Sequence, residues 1–321
     1  MINSIKALHH STSRLPSPMG GLALAIASLG WAWDSLLPQY NGLGQTTGAI
    51  IASALLSALL CKFLLHPKVL KEELTHPVVG SVIPTFAMAL MVVSNTLWHQ
   101  NPLAGQYLWL IAICIHLVFL SMFVYYRAFD FKLEHMVPSW FVPPIGIIVA
   151  AVSFPDDGYH WVATATLMFG MGCYLIMLPL MLYRLIFCPQ IPDAAKPTIA
   201  ILAAPASLSL AGYLTIVEHP SVTIIALLLS VALLMTSVVY LAFFHLFKLP
   251  FSPGYAAFTF PMVIGATALF KVYHWLVAKY GVTQLAISVE TTAIIELLIA
   301  SFVVIYVAYR YINHYATKSY K

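Results

Sequence analysis

The chain has 321 residues, of which 61% are hydrophobic and only 8% are charged, and its formal net charge is +4. A soluble globular domain carries about 25% charged residues, so this composition excludes a water-soluble fold and indicates a protein of the lipid bilayer. The basic residues are scattered between apolar runs instead of forming a patch, which argues against a nucleic-acid partner.

Ten apolar stretches follow one another along the chain, separated by short connections. A helix needs about 20 apolar residues to cross the bilayer core. The sequence therefore predicts an all-α integral membrane protein with ten transmembrane helices, at about residues 16–36, 43–65, 77–98, 103–126, 138–155, 161–187, 197–217, 221–247, 253–275 and 283–309. They form one predicted transmembrane domain over residues 15–314, with cytoplasmic segments at 1–14 and 315–321.

The distribution of basic residues predicts how these helices are oriented. Ten spans place both termini and the loops after spans two, four, six and eight on one side of the membrane. That side carries 13 of the 15 Lys and Arg residues, and only Lys271 and Lys279 fall on the other side. Basic residues accumulate on the cytoplasmic side. We therefore expect both termini in the cytoplasm and the protein in the plasma (inner) membrane.

The odd-numbered spans share a proline pattern that the even-numbered spans lack. Each odd span begins beside a proline, with spacings of 59, 61, 59 and 56 residues between Pro18, Pro77, Pro138, Pro197 and Pro253. Four of the five carry further proline inside the span, namely Pro84, Pro143 with Pro144, Pro205 and Pro261. A repeat of about 60 residues, each one helical hairpin, predicts five hairpins in a quasi-five-fold arrangement.

The same prolines predict which helices face a pore. Kinked backbone survives at membrane depth only where protein or a water-filled cavity covers it. We therefore expect the odd helices to line a central pore and the even helices, rich in Leu, Ile, Val and Phe, to face lipid. The alternative is that the kinks serve helix packing alone.

The predicted pore helices contain no Asp, Glu, Lys or Arg over residues 16–33, 77–98, 137–155, 197–217 and 251–270. Pumps and proton relays normally place ionisable groups inside the bundle, so a passive pathway is predicted. Helix N-termini carry a partial positive charge, and five of them at the cytoplasmic mouth favour small anions. Carbonyl groups freed by the interior prolines oppose this effect, so the sign of the field at mid-membrane stays open.

The residues before the interior prolines are Ile83, Pro143, Ala204 and Phe260, and we expect them to lie at similar depths. An apolar ring can block ions by excluding water. Phe260 is the large aromatic residue of this ring and is the predicted gate; the alternative is that it simply packs an apolar core with the other phenylalanines. The remaining pore-lining candidates are Pro84, Pro144, Pro205, Pro261 and Ile264.

Several motifs resemble one family over almost the whole chain. They are Gly21–Ala25 with Trp31-Ala32-Trp33, His76-Pro77, Phe169–Gly172, Leu202–Ala206 with Tyr213-Leu214, and Ala257–Pro261. Their order and spacing are similar to the tellurite-resistance/dicarboxylate transporter family, which includes the bacterial TehA channels and the plant slow-type anion channels. The doubled Pro143-Pro144 departs from that pattern, so we expect a different pore shape beside the gate.

This resemblance implies ten helices as five hairpins around a central pore, assembled as a homotrimer. It implies passive anion conduction, with the pore occluded by a phenylalanine of span nine that corresponds to Phe260. Members of the family are assigned chloride, nitrate, malate, sulfite or tellurite-related roles, and the resemblance does not select among them.

Two acidic residues, Glu290 and Glu296, lie well inside the tenth span. Six residues correspond to about 240° around a helix, so the two side chains cannot share one site. One hypothesis is proton coupling in a secondary carrier for C4-dicarboxylates or sulfite; the other is a contact between helices or subunits. The sequence contains no nucleotide-binding loop, nucleophile–base pair or zinc-ligand spacing, so we expect neither an enzyme nor a cofactor or metal.

Overall fold

The computed structural model describes residues 12–155 and 158–318, and these ranges form helices without β-strands. Residues 1–11 of the predicted N-terminal segment and 319–321 of the predicted tail lie outside this description. In chain order the α-helices are α1 (Met19–Leu36), α2 (Leu43–Leu65), α3 (Pro67–Thr75), α4 (Val79–Val82), α5 (Thr85–Gln100), α6 (Pro102–Phe129), α7 (Val142–Ile145), α8 (Val149–Val152), α9 (His160–Phe187), α10 (Ala204–Ile216), α11 (Val222–Leu246), α12 (Thr259–Tyr280) and α13 (Gln284–Lys318). Six 3-10 segments occur at Pro38–Tyr40, Leu133–His135, Pro138–Phe141, Gly146–Ile148, Lys196–Ala203 and Pro253–Phe258.

Five long helices, α2, α6, α9, α11 and α13, form the outside of the molecule. In the most apolar 18-residue stretch of each of these helices, only between 28% and 39% of the residues are buried. Large apolar side chains such as Leu175 and Phe302 are therefore exposed on their outer faces. Such surfaces are stable in contact with lipid and not with water.

Five other helices, α1, α5, α8, α10 and α12, form the inside. The spans Val79–Gln100, Lys196–Ile216 and Pro253–Tyr280 include α5, α10 and α12. In the most apolar 18-residue stretch of each span, between 78% and 83% of the residues are buried. Each inner helix packs against the next: α1 on α5, α5 on α8, α8 on α10, α10 on α12, and α12 back on α1. The inner helices thus form a closed ring.

The inner segments, by which we mean the five stretches of chain that contain the inner helices and the short helical turns before them, are interrupted near their prolines. Helix α4 ends at Val82 and α5 begins after Pro84, while 3-10 segments precede both α10 and α12. Proline lacks an N–H group and its ring collides with the carbonyl four residues earlier. A tighter 3-10 turn, with bonds between residues three apart, replaces the α-helix at such places.

The segment that contains Pro143 and Pro144 is the most divided, with two 3-10 and two short α-helical pieces over Pro138–Val152. His116 of α6 supports it, because its Nε2 atom donates to the Pro143 carbonyl oxygen at 2.8 Å. A buried carbonyl group needs such a donor. The histidine therefore has a structural role in this broken element.

Consecutive inner and outer helices pack as hairpins, and the pair α1 and α2 shows the closest approach. A Cβ atom on Gly30 would lie 2.0 Å from the Gly44 carbonyl oxygen, so the two backbones touch there. The Asp34 carboxylate accepts the N–H groups of Gly44 and Gln45 at 3.1 and 2.6 Å. This carboxylate satisfies donors that the first turn of α2 leaves free.

Eight helical stretches among the described residues are long and apolar enough to cross a membrane. The prediction of an all-helical, multi-pass membrane protein is therefore confirmed. The two other predicted spans correspond to α1, which has 18 residues, and to the shorter broken stretch Pro138–Val152. The count of ten spans and their grouping as five hairpins around a pore stay predictions.

Candidate functional site

A cavity of about 390 Å³ lies inside the ring of inner helices. Ligand sites in helical bundles commonly occupy such a position. All five inner segments contribute to its wall, together with one residue of α3. The lining residues are Pro16, Ser17, Pro18, Gly21, Leu24, Glu73, Val78, Val79, Val82, Thr85, Met88, Phe141, Val142, Ile145, Gly146, Ala194, Thr198, Ile201, Ala204, Pro205, Leu208, Ser252, Pro253, Gly254, Ala256, Ala257, Phe260 and Pro261.

The wall of this cavity is almost entirely apolar. Glu73 is the one ionisable group among the described residues that line it. The Thr85 and Thr198 hydroxyl groups donate to carbonyl oxygens three residues earlier in the chain, which leaves them less available to a solute. A small ion in this cavity would lose hydration without meeting a charged side chain, except at the end that holds Glu73.

Phe260 lies at the deep end of the cavity. The last lining residues along the five segments are Leu24, Met88, Gly146, Leu208 and Pro261. Phe258, two residues earlier, points the other way, and its ring lies 5.5 Å from the Phe243 ring and 5.4 Å from the Phe247 ring. Of the two aromatic residues in this motif, only Phe260 faces the cavity.

Three of the eight predicted pore-lining residues are in this wall: Ala204, Pro205 and Pro261. The other five, Ile83, Pro84, Pro143, Pro144 and Ile264, are not among the lining residues. Their neighbours face the cavity instead, as Val79, Val82 and Thr85 do in the second repeat. These three residues recur at intervals of three, and residues three apart lie on the same face of a helix. The pore-lining role of all eight residues stays a prediction, as does the gating role of Phe260.

A charged cluster lies at the other end of the cavity, which we call the mouth and define by Ser17, Glu73 and Ser252. The Lys62 Nζ atom lies 2.6 Å from Glu73 Oε1 and 3.0 Å from Ser17 Oγ. The Ser17 hydroxyl donates to Glu73 Oε2 at 2.6 Å. In the sequence, Lys62 counts only among the 13 basic residues that predict the orientation of the chain in the membrane. Its position inside the apolar run of α2 was the signal that it has a buried partner.

Two arginines near the mouth fold inward onto connecting segments. The guanidinium of Arg127 donates to the Thr75 carbonyl at 2.6 Å. That of Arg184 donates to the Pro189 and Glu134 carbonyls at 2.7 and 2.9 Å. Both side chains are buried, and backbone carbonyl oxygens hold their guanidinium groups.

Glu296 is buried behind the cavity wall, in contact with α12. A Cβ atom on Gly265 would lie 2.6 Å from Glu296 Oε2, so glycine makes room for the carboxylate. A void of about 10 Å³ borders Glu296, Ser207 and Thr236, and Tyr240 lies close by. That volume is near the minimum for one water molecule.

Glu290 is half-buried and lies beside Tyr273 and His274 of α12. The two acidic residues of α13 therefore have different surroundings, and the structure does not bring them together. Among the described residues, no group of three or more His, Cys, Asp or Glu side chains could hold a metal ion.

Comparison with known proteins gives consistent matches over most of the chain. Residues 15–312 match the family described as voltage-dependent anion channel, SLAC1. An uncharacterized transporter of Methanocaldococcus jannaschii is 27% identical, with 82% of this chain and 85% of that protein covered. A tellurite resistance protein TehA homolog of Haemophilus influenzae is 28% identical, with 68% of this chain and 69% of that protein covered. These matches confirm the resemblance found in the sequence motifs.

Proposed function

The chain belongs to the voltage-dependent anion channel family, and from this we propose that it is a gated, passive channel for small anions such as chloride and nitrate. Phe260, which lines the cavity, is the proposed gate that closes the pore. The family consists of transport proteins and not of enzymes.

One observation supports the proposal: Phe260 lines the cavity inside the ring of inner helices, next to Pro261, the last lining residue of its segment. The cavity wall is almost entirely apolar, half of its lining residues are Gly, Ala, Ser or Pro, and Phe260 is one of its two aromatic side chains, with Phe141. A hydrophobic constriction of this kind stops ions because water leaves it. Movement of one ring would then open a continuous path.

The charge distribution supports anions as the permeant species. The inner helices α5, α10 and α12 begin at Thr85, Ala204 and Thr259, within or beside the cavity wall, so the partial positive charges of their N-termini face the cavity. Arg127 and Arg184 add positive charge in the last turns of α6 and α9, on the predicted cytoplasmic side. Because the rest of the wall is neutral, selectivity among anions should follow the ease of dehydration, with nitrate passing more readily than chloride.

We further propose the full arrangement that the repeat and the family imply. Ten helices form five hairpins around the pore, with α1 and the stretch Pro138–Val152 as the first and fifth spans. Both termini face the cytoplasm of a cell whose plasma (inner) membrane holds the protein. Three copies associate through the exposed apolar faces of their outer helices, each copy with its own pore.

The experiment is current measurement on purified protein in planar bilayers, with unequal salt on the two sides. The reversal potential is expected to follow the chloride or nitrate gradient and to ignore a pH gradient. Malate in place of chloride tests the dicarboxylate class in the same setting. A reversal potential that follows the cation gradient would overturn the proposal.

Glu296 favours a second candidate function, a proton-coupled carrier of C4-dicarboxylates or sulfite. A buried carboxylate that touches the helix of the proposed gate could link proton binding to movement of that helix. In that case uptake into liposomes depends on a proton gradient, and Glu296→Gln abolishes this dependence. Glu290→Gln is the matched control, because Glu290 lies on the same helix but beside different residues. Uptake that ignores the proton gradient would exclude the carrier.

A further inference from the structure

The charged cluster at the mouth consists of one deeply buried cation and one partly exposed anion. The Lys62 side chain is only 2% exposed, whereas that of Glu73 is 21% exposed and lines the cavity. Ser17 is buried and also lines the cavity. The ammonium group is therefore fixed in the protein, and the carboxylate is the member of the pair that water can reach.

A buried ammonium group requires an anionic partner, because an uncompensated charge in such a place is strongly destabilising. In this structure each oxygen of Glu73 has its own donor. Oε1 accepts from Lys62 and Oε2 accepts from the Ser17 hydroxyl, both at 2.6 Å. The two donors thus hold a planar group with two oxygen atoms.

We propose that Lys62 Nζ and Ser17 Oγ form an anion-binding site at the mouth of the cavity, and that the Glu73 carboxylate occupies it as a tethered anion. The ligand of this site is a small planar oxyanion, namely nitrate or a carboxylate group. Nitrate presents two oxygens in one plane as a carboxylate does, so it can replace Glu73 at both donors. This proposal rests on the proposed function, since it identifies where a permeating anion first binds.

The location of the cluster suits this role. Ser17, Glu73 and Phe260 all line the same cavity. An anion that travels between the mouth and Phe260 passes Ser17 and Glu73, the two residues that the Lys62 ammonium group contacts. When the anion displaces Glu73, that carboxylate can turn toward the water that already reaches it.

The test uses the purified full-length protein in detergent and measures its thermal unfolding midpoint in the presence of increasing nitrate. The Glu73→Gln variant removes the tethered charge and leaves Lys62 uncompensated. We expect its midpoint to fall by several degrees in a buffer whose only anion is a bulky sulfonate, and to recover as nitrate is added. The wild type should respond only at much higher nitrate concentration, because nitrate must first displace the tethered Glu73 carboxylate.

Nitrate should act on Glu73→Gln at roughly tenfold lower concentration than chloride. A planar oxyanion accepts from both donors, and one further hydrogen bond corresponds to about that factor. Equal potency of the two anions would contradict a site shaped for planar oxyanions.

Two control variants separate this site from general salt effects. Asp193→Asn removes the acidic member of the Lys196 pair, whose contact is also 2.6 Å but whose carboxylate is 76% exposed. It should show no nitrate dependence. The double variant Lys62→Gln with Glu73→Gln removes the buried cation as well and should be equally insensitive. Nitrate stabilisation of either control to the same extent as Glu73→Gln would overturn the proposal.

If Glu73→Gln does not fold, Glu73→Asp provides the same test. Its carboxylate is one methylene shorter and holds the two donors less well, so partial nitrate dependence is expected and its absence counts against the site. The measurement also separates the two proposals. If nitrate stabilises the variant but no anion current is measured, the binding site is supported and the channel proposal is wrong. If anion current is measured without nitrate-dependent stability, the channel is supported and the binding site is wrong.

Discussion

Phe258 and Phe260 differ in surroundings although they are two residues apart in one motif. Phe258 packs in a cluster with Phe243 and Phe247, while Phe260 faces the cavity. The 3-10 segment ends at Phe258 and α12 begins at Thr259, so successive side chains there turn by about 100° to 120°. The same kind of side chain therefore serves the core at one position and the proposed pathway at the other.

Replacement of Phe260 by alanine is expected to raise anion current at least several-fold in planar bilayers. Removal of the ring widens the apolar constriction and lets water and ions enter it. Phe302→Ala is the matched control, since Phe302 is 68% exposed on the outer face of α13 and should not affect conductance. An unchanged single-channel conductance in the Phe260 variant would mean that another residue closes the path.

For single residues, the sequence predicts some of the side chains that face the cavity and misses others. The residue before an interior proline faces the cavity at Ala204 and Phe260, but not at Ile83. A local pattern fixes where a helix bends, yet it does not fix the rotation of the bent segment. The pairing of Lys62 with Glu73 depends on the approach of α2, α3 and the segment before α1, which no local pattern contains.

The helices themselves were well predicted because their signals are local. Prolines at the starts of the inner segments and apolar runs of sufficient length give the ends of most helices within a few residues. The outer helix α2 spans Leu43–Leu65, as expected from its apolar run. Close approach between helices could not be predicted, since it depends on which glycines meet.

The contact between α1 and α2 gives a prediction for a whole hairpin. Gly30→Ala places a Cβ atom 2.0 Å from the Gly44 carbonyl oxygen, so the two helices must separate. Overpacking of this kind costs about 1–3 kcal/mol, which should lower the thermal unfolding midpoint by several degrees.

Gly172→Ala is the matched control for Gly30→Ala. A Cβ atom on Gly172 of α9 meets nothing within 4 Å, so the added methyl group has room. Its unfolding midpoint should equal or slightly exceed that of the wild type, because alanine also favours the helix. Equal loss of stability in both variants would show that the glycines matter for another reason than helix contact.

For the molecule as a whole, the asymmetry of basic residues predicts its direction in the membrane. The test uses a variant in which Cys61, Cys114, Cys173 and Cys188 are replaced, and adds either Lys248→Cys or Lys279→Cys to it. The two new cysteines are expected on opposite sides of the membrane. A membrane-impermeant maleimide added to intact cells should label the cysteine at position 279. It should label the one at position 248 only after the membrane is opened. Labelling of both positions in intact cells would contradict the ten-span topology.

The closed ring of α1, α5, α8, α10 and α12 has an evolutionary consequence. These helices come from one chain, so a substitution changes a single sector of the wall and leaves the other four as they were. In a tunnel built from identical subunits, the same substitution would appear in every sector at once. If the ring is the permeation pathway proposed above, it can therefore acquire new ion preferences gradually, one sector at a time.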